Sequence, residues 1–218
     1  MTSGVTAIDS SVSGLYVGTS SWSYTSWRPD FYPAGTKPPD FLRYYSQRFS
    51  TVELNSTAYR LPEKEQFASW AEQTADGFRF APKLNGHSKA RVGEFAERVA
   101  LLGDRLGPVR VLVNAKRDDQ LLAHLRDAFD PSVQVAFDFR HASWDGVEGV
   151  QCVNASEGPA GFRYIRLRKP PYSARDLKEL AAKIRPLVDD RLEVYCYFMH
   201  EKEPTAPRYA EKLIALLK

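Results

Sequence analysis

Glu53, Asp138 and His141 are the residues whose type and setting could move a proton, and Lys83, Arg140 and Arg166 those that could hold an anion. Each of them but His141 lies in a stretch that alternates polar with apolar. In 135–144 (VAFDFRHASW), Ala136, Asp138 and Arg140 fall on one face and Phe137 and Phe139 on the other, and His141 and Trp144 follow at once. The same alternation puts Glu53 and Asn55 on one face of 51–55, Arg79 and Lys83 on one face of 78–83, and Arg166 and Arg168 on one face of 164–168. Carboxylates at such positions suit general acid–base work, and lysine and arginine suit a phosphate or carboxylate. A bland alternative stands beside each: Glu53 as a structural carboxylate paired with Lys83 or Arg140, and Asp138 paired with Arg140.

For these charged fronts to converge, the strands must curl into one sheet. Strands are expected at 15–20, 51–55, 78–83, 109–113, 135–140, 150–153, 162–167 and 192–198. Between most of them lie helical patterns: Asp40 to Phe49, Pro62 (suited to a first turn) to Gln73, Ser88 to Leu102, a helix capped by Asp118, one capped by Ser173, and Pro207 to Leu217. Alternating strands and helices imply parallel βα units, and eight of them close most naturally into a TIM-like (β/α)8 barrel. A doubly wound open sheet would want a glycine-rich phosphate turn after the first strand, and Gly18-Thr19-Ser20-Ser21-Trp22 is not one. Residues 144–164 leave too little chain for a full strand and helix, so the barrel is expected to be incomplete around its sixth unit.

The chain's 218 residues suffice for one sizeable core, so residues 15–218 are read as a single domain behind a loose tail at 1–14. The tail has neither the basic nor the apolar region of a signal peptide, and no apolar run reaches membrane-spanning length. Cys152 and Cys196 stand far apart and read as reduced thiols, which with the preceding points gives a cytoplasmic expectation. A formal net charge of +3 permits an anionic partner without demanding one.

The active end of such a barrel is where its strands finish, and that rule gathers a definite set. It contains Ser20, Trp22, Tyr24, Glu53, Asn55, Tyr59, Lys83, His87, Asp138, Arg140, His141, Arg166, Arg168, Tyr197 and His200. Counting Arg79, five cations face two carboxylates, so the mouth is expected to be net positive. Trp22, Tyr24 and Trp27 would stack a sugar or base, or else pack as pure core. His87, His141 and His200 with Glu53 and Asp138 would make a divalent metal site, but no HxH or HExxH spacing supports one, and no metal or other cofactor is assigned. Ser20 and Ser21 lack a nucleophile-elbow context.

Several blocks then resemble the signature of the DUF72 (YecE-like) family. They are 18–24 (GTSSWSY), 31–33 (FYP), 52–59 (VELNSTAY), 78–83 (FRFAPK), 106–108 (LGP), 137–144 (FDFRHASW), 164–167 (YIRL) and the region from Tyr195 to Ala210. The resemblance implies a TIM-like barrel and leaves the activity open. The chain departs from the family's pattern at Ser21 and Ala58, and at Arg168-Lys169 and Met199-His200 on the last two strands.

The function expected is an enzyme, a hydrolase or lyase, acting on a phosphate-bearing or other anionic ligand such as a nucleotide, sugar phosphate or nucleic acid. Glu53, Asp138 and His141 would be its catalytic groups. Trp22, Tyr24, Asn55, Tyr59, Lys83, Arg140, Arg166 and Tyr197 would bind the ligand. A non-catalytic binder of a sugar-like or nucleotide-like ligand is the alternative, and a barrel whose shortened sixth unit has cost it activity is the third. The oligomeric state is left open.

Overall fold

The computed structural model describes residues 12–86, 89–200 and 202–218. Eight strands lie among them: β1 (Leu15–Thr19), β2 (Thr51–Leu54), β3 (Arg79–Asn85), β4 (Val109–Val113), β5 (Val135–Phe139), β6 (Gln151–Cys152), β7 (Phe162–Leu167) and β8 (Glu193–Phe198). All pairings are parallel, in two sheets ordered β1-β8-β7 and β2-β3-β4-β5-β6. Side chains alternate between two cores, as the pleat requires. Ala81, Ala136, Phe162, Tyr164, Tyr195 and Tyr197 pack inside the curled sheet. Val17, Val52, Phe80, Val111, Phe137 and Phe198 face the helices outside. The architecture is that of a TIM-like barrel, but strand ladders do not close it.

Two seams remain, and side chains bridge both. Between β1 and β2 a single bridge joins Ser20 to Glu53, where the Ser21 amide donates to the Glu53 carbonyl at 2.8 Å. Below it the Tyr45 hydroxyl accepts from the Thr19 amide at 2.9 Å and donates to the Thr51 carbonyl at 3.1 Å, standing in for a ladder bond. Between β6 and β7 the Asn154 amide donates to the Tyr164 carbonyl at 2.8 Å, and its side-chain oxygen accepts from the Arg166 amide at 2.6 Å. Asn154 has φ of 64°, a conformation asparagine tolerates better than most residues.

Among the described residues six helices cover the outside: α1 (Phe41–Ser46), α2 (Lys64–Glu72), α3 (Lys89–Ala100), α4 (Asp119–Asp127), α5 (Ala174–Asp189) and α6 (Thr205–Leu217). Asp118 caps α4 by accepting from the Gln120 and Leu121 amides. Ser173 and Asp176 form a reciprocal capping box on α5. Pro62, in contrast to the sequence expectation, lies outside its helix, where Glu63 is the capping residue and Lys64 the first helical one. Only a single 3-10 turn, Ala142–Trp144, follows β5. β6 has two residues, and no helix separates it from β7. The sixth unit is therefore the incomplete part of the barrel. Among the described residues no helix is long and apolar enough to cross a membrane.

Candidate functional site

The centre of the barrel is a guanidinium. Arg110, on β4, is 2% exposed, and its Nη1 donates to Glu53 Oε1 at 3.0 Å. Its Nε and Nη2 both donate to Asp138 Oδ2, at 2.9 and 2.6 Å. Glu53 also accepts from the Tyr164 hydroxyl at 2.7 Å and from Arg166 Nε at 2.9 Å. Asp138 Oδ2 accepts further bonds from Arg140 at 3.1 Å and Arg168 at 2.7 Å. Thus Glu53 is paired with Arg110 and Arg166, not with Lys83 or Arg140. Arg110 belongs to no set drawn from the sequence. Its signal was the lone charge inside the apolar run 109–113, where a buried cation has to find carboxylates.

The charges act on one another. Burial would push the Glu53 carboxyl up, but Arg110, Arg166 and the Tyr164 hydroxyl overcome this and hold it down at about 2, from an ordinary 4.5. A carboxylate whose folded pKa is depressed stabilises the fold above its unfolded pKa and loses that contribution as pH falls through the folded one. Stability is therefore expected to fall between about pH 4.5 and pH 2 by roughly 2–3 kcal/mol from this group. Urea titrations across that window should show a flatter acid limb for Glu53→Gln, and an unchanged limb would refute the assignment. Burial lowers the Lys83 amine, aided by Arg110 and only partly opposed by Glu53. Burial likewise lowers His200.

The other residues are placed unequally. Lys83 lies opposite Arg110 in the β3–β4 register, 7% exposed, with Nζ 5.2 Å from the ring centre of Tyr59. Tyr59 itself is 73% exposed. Asn55 starts the 3-10 turn after β2, and its side-chain nitrogen is buried with no acceptor among the described residues; Arg168 Nε is in the same position. His200 donates its amide to Ser20 Oγ at 2.9 Å and stacks on Tyr24 at 4.6 Å. Trp22 packs edge-on against Trp70, and Trp27 is fully buried, so both rings serve the core. Tyr197 is sealed inside the barrel, its hydroxyl 2.8 Å from Thr51 Oγ1. His141 bonds to Ser143 on its own turn, and the carboxylates are not among its partners. Arg79 opens β3 at the opposite end, over Tyr16, so Arg110 takes its place in the count of five cations. His87 lies outside the described residues. No three His, Cys, Asp or Glu among the described residues gather as metal ligands.

A cleft of about 470 Å3 opens beside the network, lined by Asp138, Arg140, His141, Trp144 and Cys152 among others. Two clefts of about 670 and 710 Å3 lie elsewhere and include no member of the arginine–carboxylate network.

Comparison with known proteins decides the family. The model described as "Protein of unknown function DUF72" matches residues 16–218. The chain belongs to the DUF72 family. This DUF72 chain is 28% identical over 179 residues to the UPF0759 protein YecE of Escherichia coli O157:H7 and to that of strain K12. The match takes in 76% of the chain and 63% of each relative's length. Two crystal structures of a DUF72 family protein from Enterococcus faecalis V583 superpose with a TM-score of 0.69 at 16% identity. They cover 93% of this chain and 97% and 95% of theirs, which is a likeness of fold.

Proposed function

We propose that the barrel mouth binds a small molecule bearing a phosphate or carboxylate and acts on it as an enzyme. The observation that carries this reading is the charge balance. Arg110, Arg140, Arg166 and Arg168 surround Glu53 and Asp138, leaving a surplus of two positive charges before Lys83 is counted. In a poorly hydrated mouth such a surplus is costly until an anion enters. Arg168 Nε and Asn55 Nδ2, buried without acceptors among the described residues, would meet that anion. A nucleic acid fits less well than a nucleotide or sugar phosphate. Lys83 and Arg110 are 7% and 2% exposed, too deep for a polymer's backbone. Hydrolase or lyase chemistry suits such a pocket. The ion-paired state of Glu53, which holds its carboxyl low, favours the non-catalytic binder as second reading. The free thiols Cys152 and Cys196 support a cytoplasmic setting.

Thermal unfolding at low salt with inorganic phosphate, sugar phosphates, nucleotides and small carboxylates tests this. A true ligand at a hundredfold excess over its Kd should raise Tm by about 5 °C or more. Arg140→Ala, at the half-exposed rim, should weaken the shift without unfolding the protein. No response to any anion would overturn the reading.

A further inference from the structure

We propose that Lys83 is an amine nucleophile, forming an imine with an aldehyde or ketone whose anionic group is held by the neighbouring arginines. The inference deepens the anion-binding reading above and rests on it. Lysines at anion sites ordinarily serve as point charges, ion-paired or solvated. Lys83 is neither. It is 7% exposed, and the two carboxylates near it are already occupied. Glu53 is taken by Arg110, Arg166 and Tyr164, and Asp138 by Arg110, Arg140 and Arg168. Among the described residues Lys83 has no ion pair, and its neighbour across the strand register is Arg110. Its amine faces the exposed ring of Tyr59, which an entering ligand can displace. A second ammonium beside these guanidiniums, out of water and only partly offset by Glu53 and Asp138, has its pKa lowered, which makes the neutral amine easier to reach.

The step balances without a cofactor. The neutral nitrogen attacks the carbonyl carbon, forming a C–N bond while the carbonyl electron pair moves to oxygen. The proton released from nitrogen reaches that oxygen, giving a carbinolamine. A second proton from solvent lets the hydroxyl leave as water, so amine and carbonyl become an iminium ion. The iminium withdraws electrons from the adjacent carbon, as lyase chemistry requires. The substrate's own phosphate or carboxylate compensates the positive charge created.

Pyridoxal phosphate and pyridoxal, which differ by the anionic group, are the probes, with borohydride reduction and peptide mapping. At pH 7 pyridoxal phosphate should label Lys83 about tenfold or more faster than the exposed Lys64 and Lys212. It should also outpace pyridoxal at Lys83, and inorganic phosphate should protect. Lys83→Met should lose the label and keep the wild-type Tm, because no ion pair is broken; Lys83→Arg, which puts a non-nucleophilic cation there, should lose it too. Label spread over surface lysines while phosphate still raises Tm would overturn the imine and leave anion binding standing. Absence of both label and Tm shift would overturn both readings. Equal labelling by the two probes at Lys83, unprotected by phosphate, would overturn the anionic-carbonyl assignment.

Discussion

Arg110→Ala is expected to cost about 3 kcal/mol or more of unfolding free energy, because it strips partners from two buried carboxylates at once. All of its donor nitrogens are engaged, Nη1 on Glu53 and Nε and Nη2 on Asp138. Glu53 is fully buried and Asp138 only 5% exposed, so water cannot replace what is lost. Arg166, Arg140 and Arg168 still face the two carboxylates, which limits the damage. Urea denaturation measures the loss, and its pH dependence identifies the cause. With Arg110 gone, burial should carry the folded-state pKa of Glu53 above its ordinary 4.5. A raised folded pKa gives stability at low pH that is lost as pH increases. The variant should therefore recover part of the deficit near about pH 5, opposite in sign to the acid loss of the wild type. A deficit below about 1 kcal/mol, constant with pH, would mean that Arg110 is not the keystone of the network.

Arg110 also shows where reading the chain succeeds and where it stops. The alternation in 51–55, 78–83 and 164–168 places Glu53, Lys83 and Arg166 on the inner face, because the pleat fixes the face of every second residue. It does not fix height along the barrel. Arg79 and Lys83 share a face of β3, yet Arg79 begins the strand and lies over Tyr16 while Lys83 joins the network. In β4 the inner residues Arg110 and Leu112 leave only one charge in the run, so the alternation is too short to register. Tyr45 exposes a different limit. Its spacing marks it as a buried residue of α1, but no periodicity reveals that its hydroxyl ties β1 to β2. Trp22 looks like a stacking platform in the sequence because aromatic rings serve ligand and core alike; its contact with Trp70 decides for the core. The shortness of 144–164 was legible, since a strand and helix need more chain than that. The way Asn154 bridges the gap depends on a single residue's φ and could not be.

Gly18→Ala tests the other seam and should be comparably severe, costing about 3 kcal/mol or more, or preventing soluble expression. A Cβ at Gly18 would overlap the carbonyl oxygen of Thr51 and come within 3.1 Å of its carbonyl carbon and 2.9 Å of the Tyr45 hydroxyl. Those are the atoms that join β1 to β2, and a backbone carbonyl cannot swing aside as a side chain can. To admit the methyl, the strands must separate. Separation would break the Tyr45 relay and pull Ser20 away from Glu53. Gly35→Ala is the control: a Cβ there meets nothing within 4 Å, and its cost should stay within about 0.5 kcal/mol. Urea midpoints of the two variants, measured with and without a ligand found by the anion screen, separate fold from site. A folded Gly18→Ala protein with wild-type stability would show that β1 and β2 do not approach this closely. A folded but weakened one should also bind its anion less tightly, since the seam that admits no methyl is the one that holds Glu53 beneath the mouth.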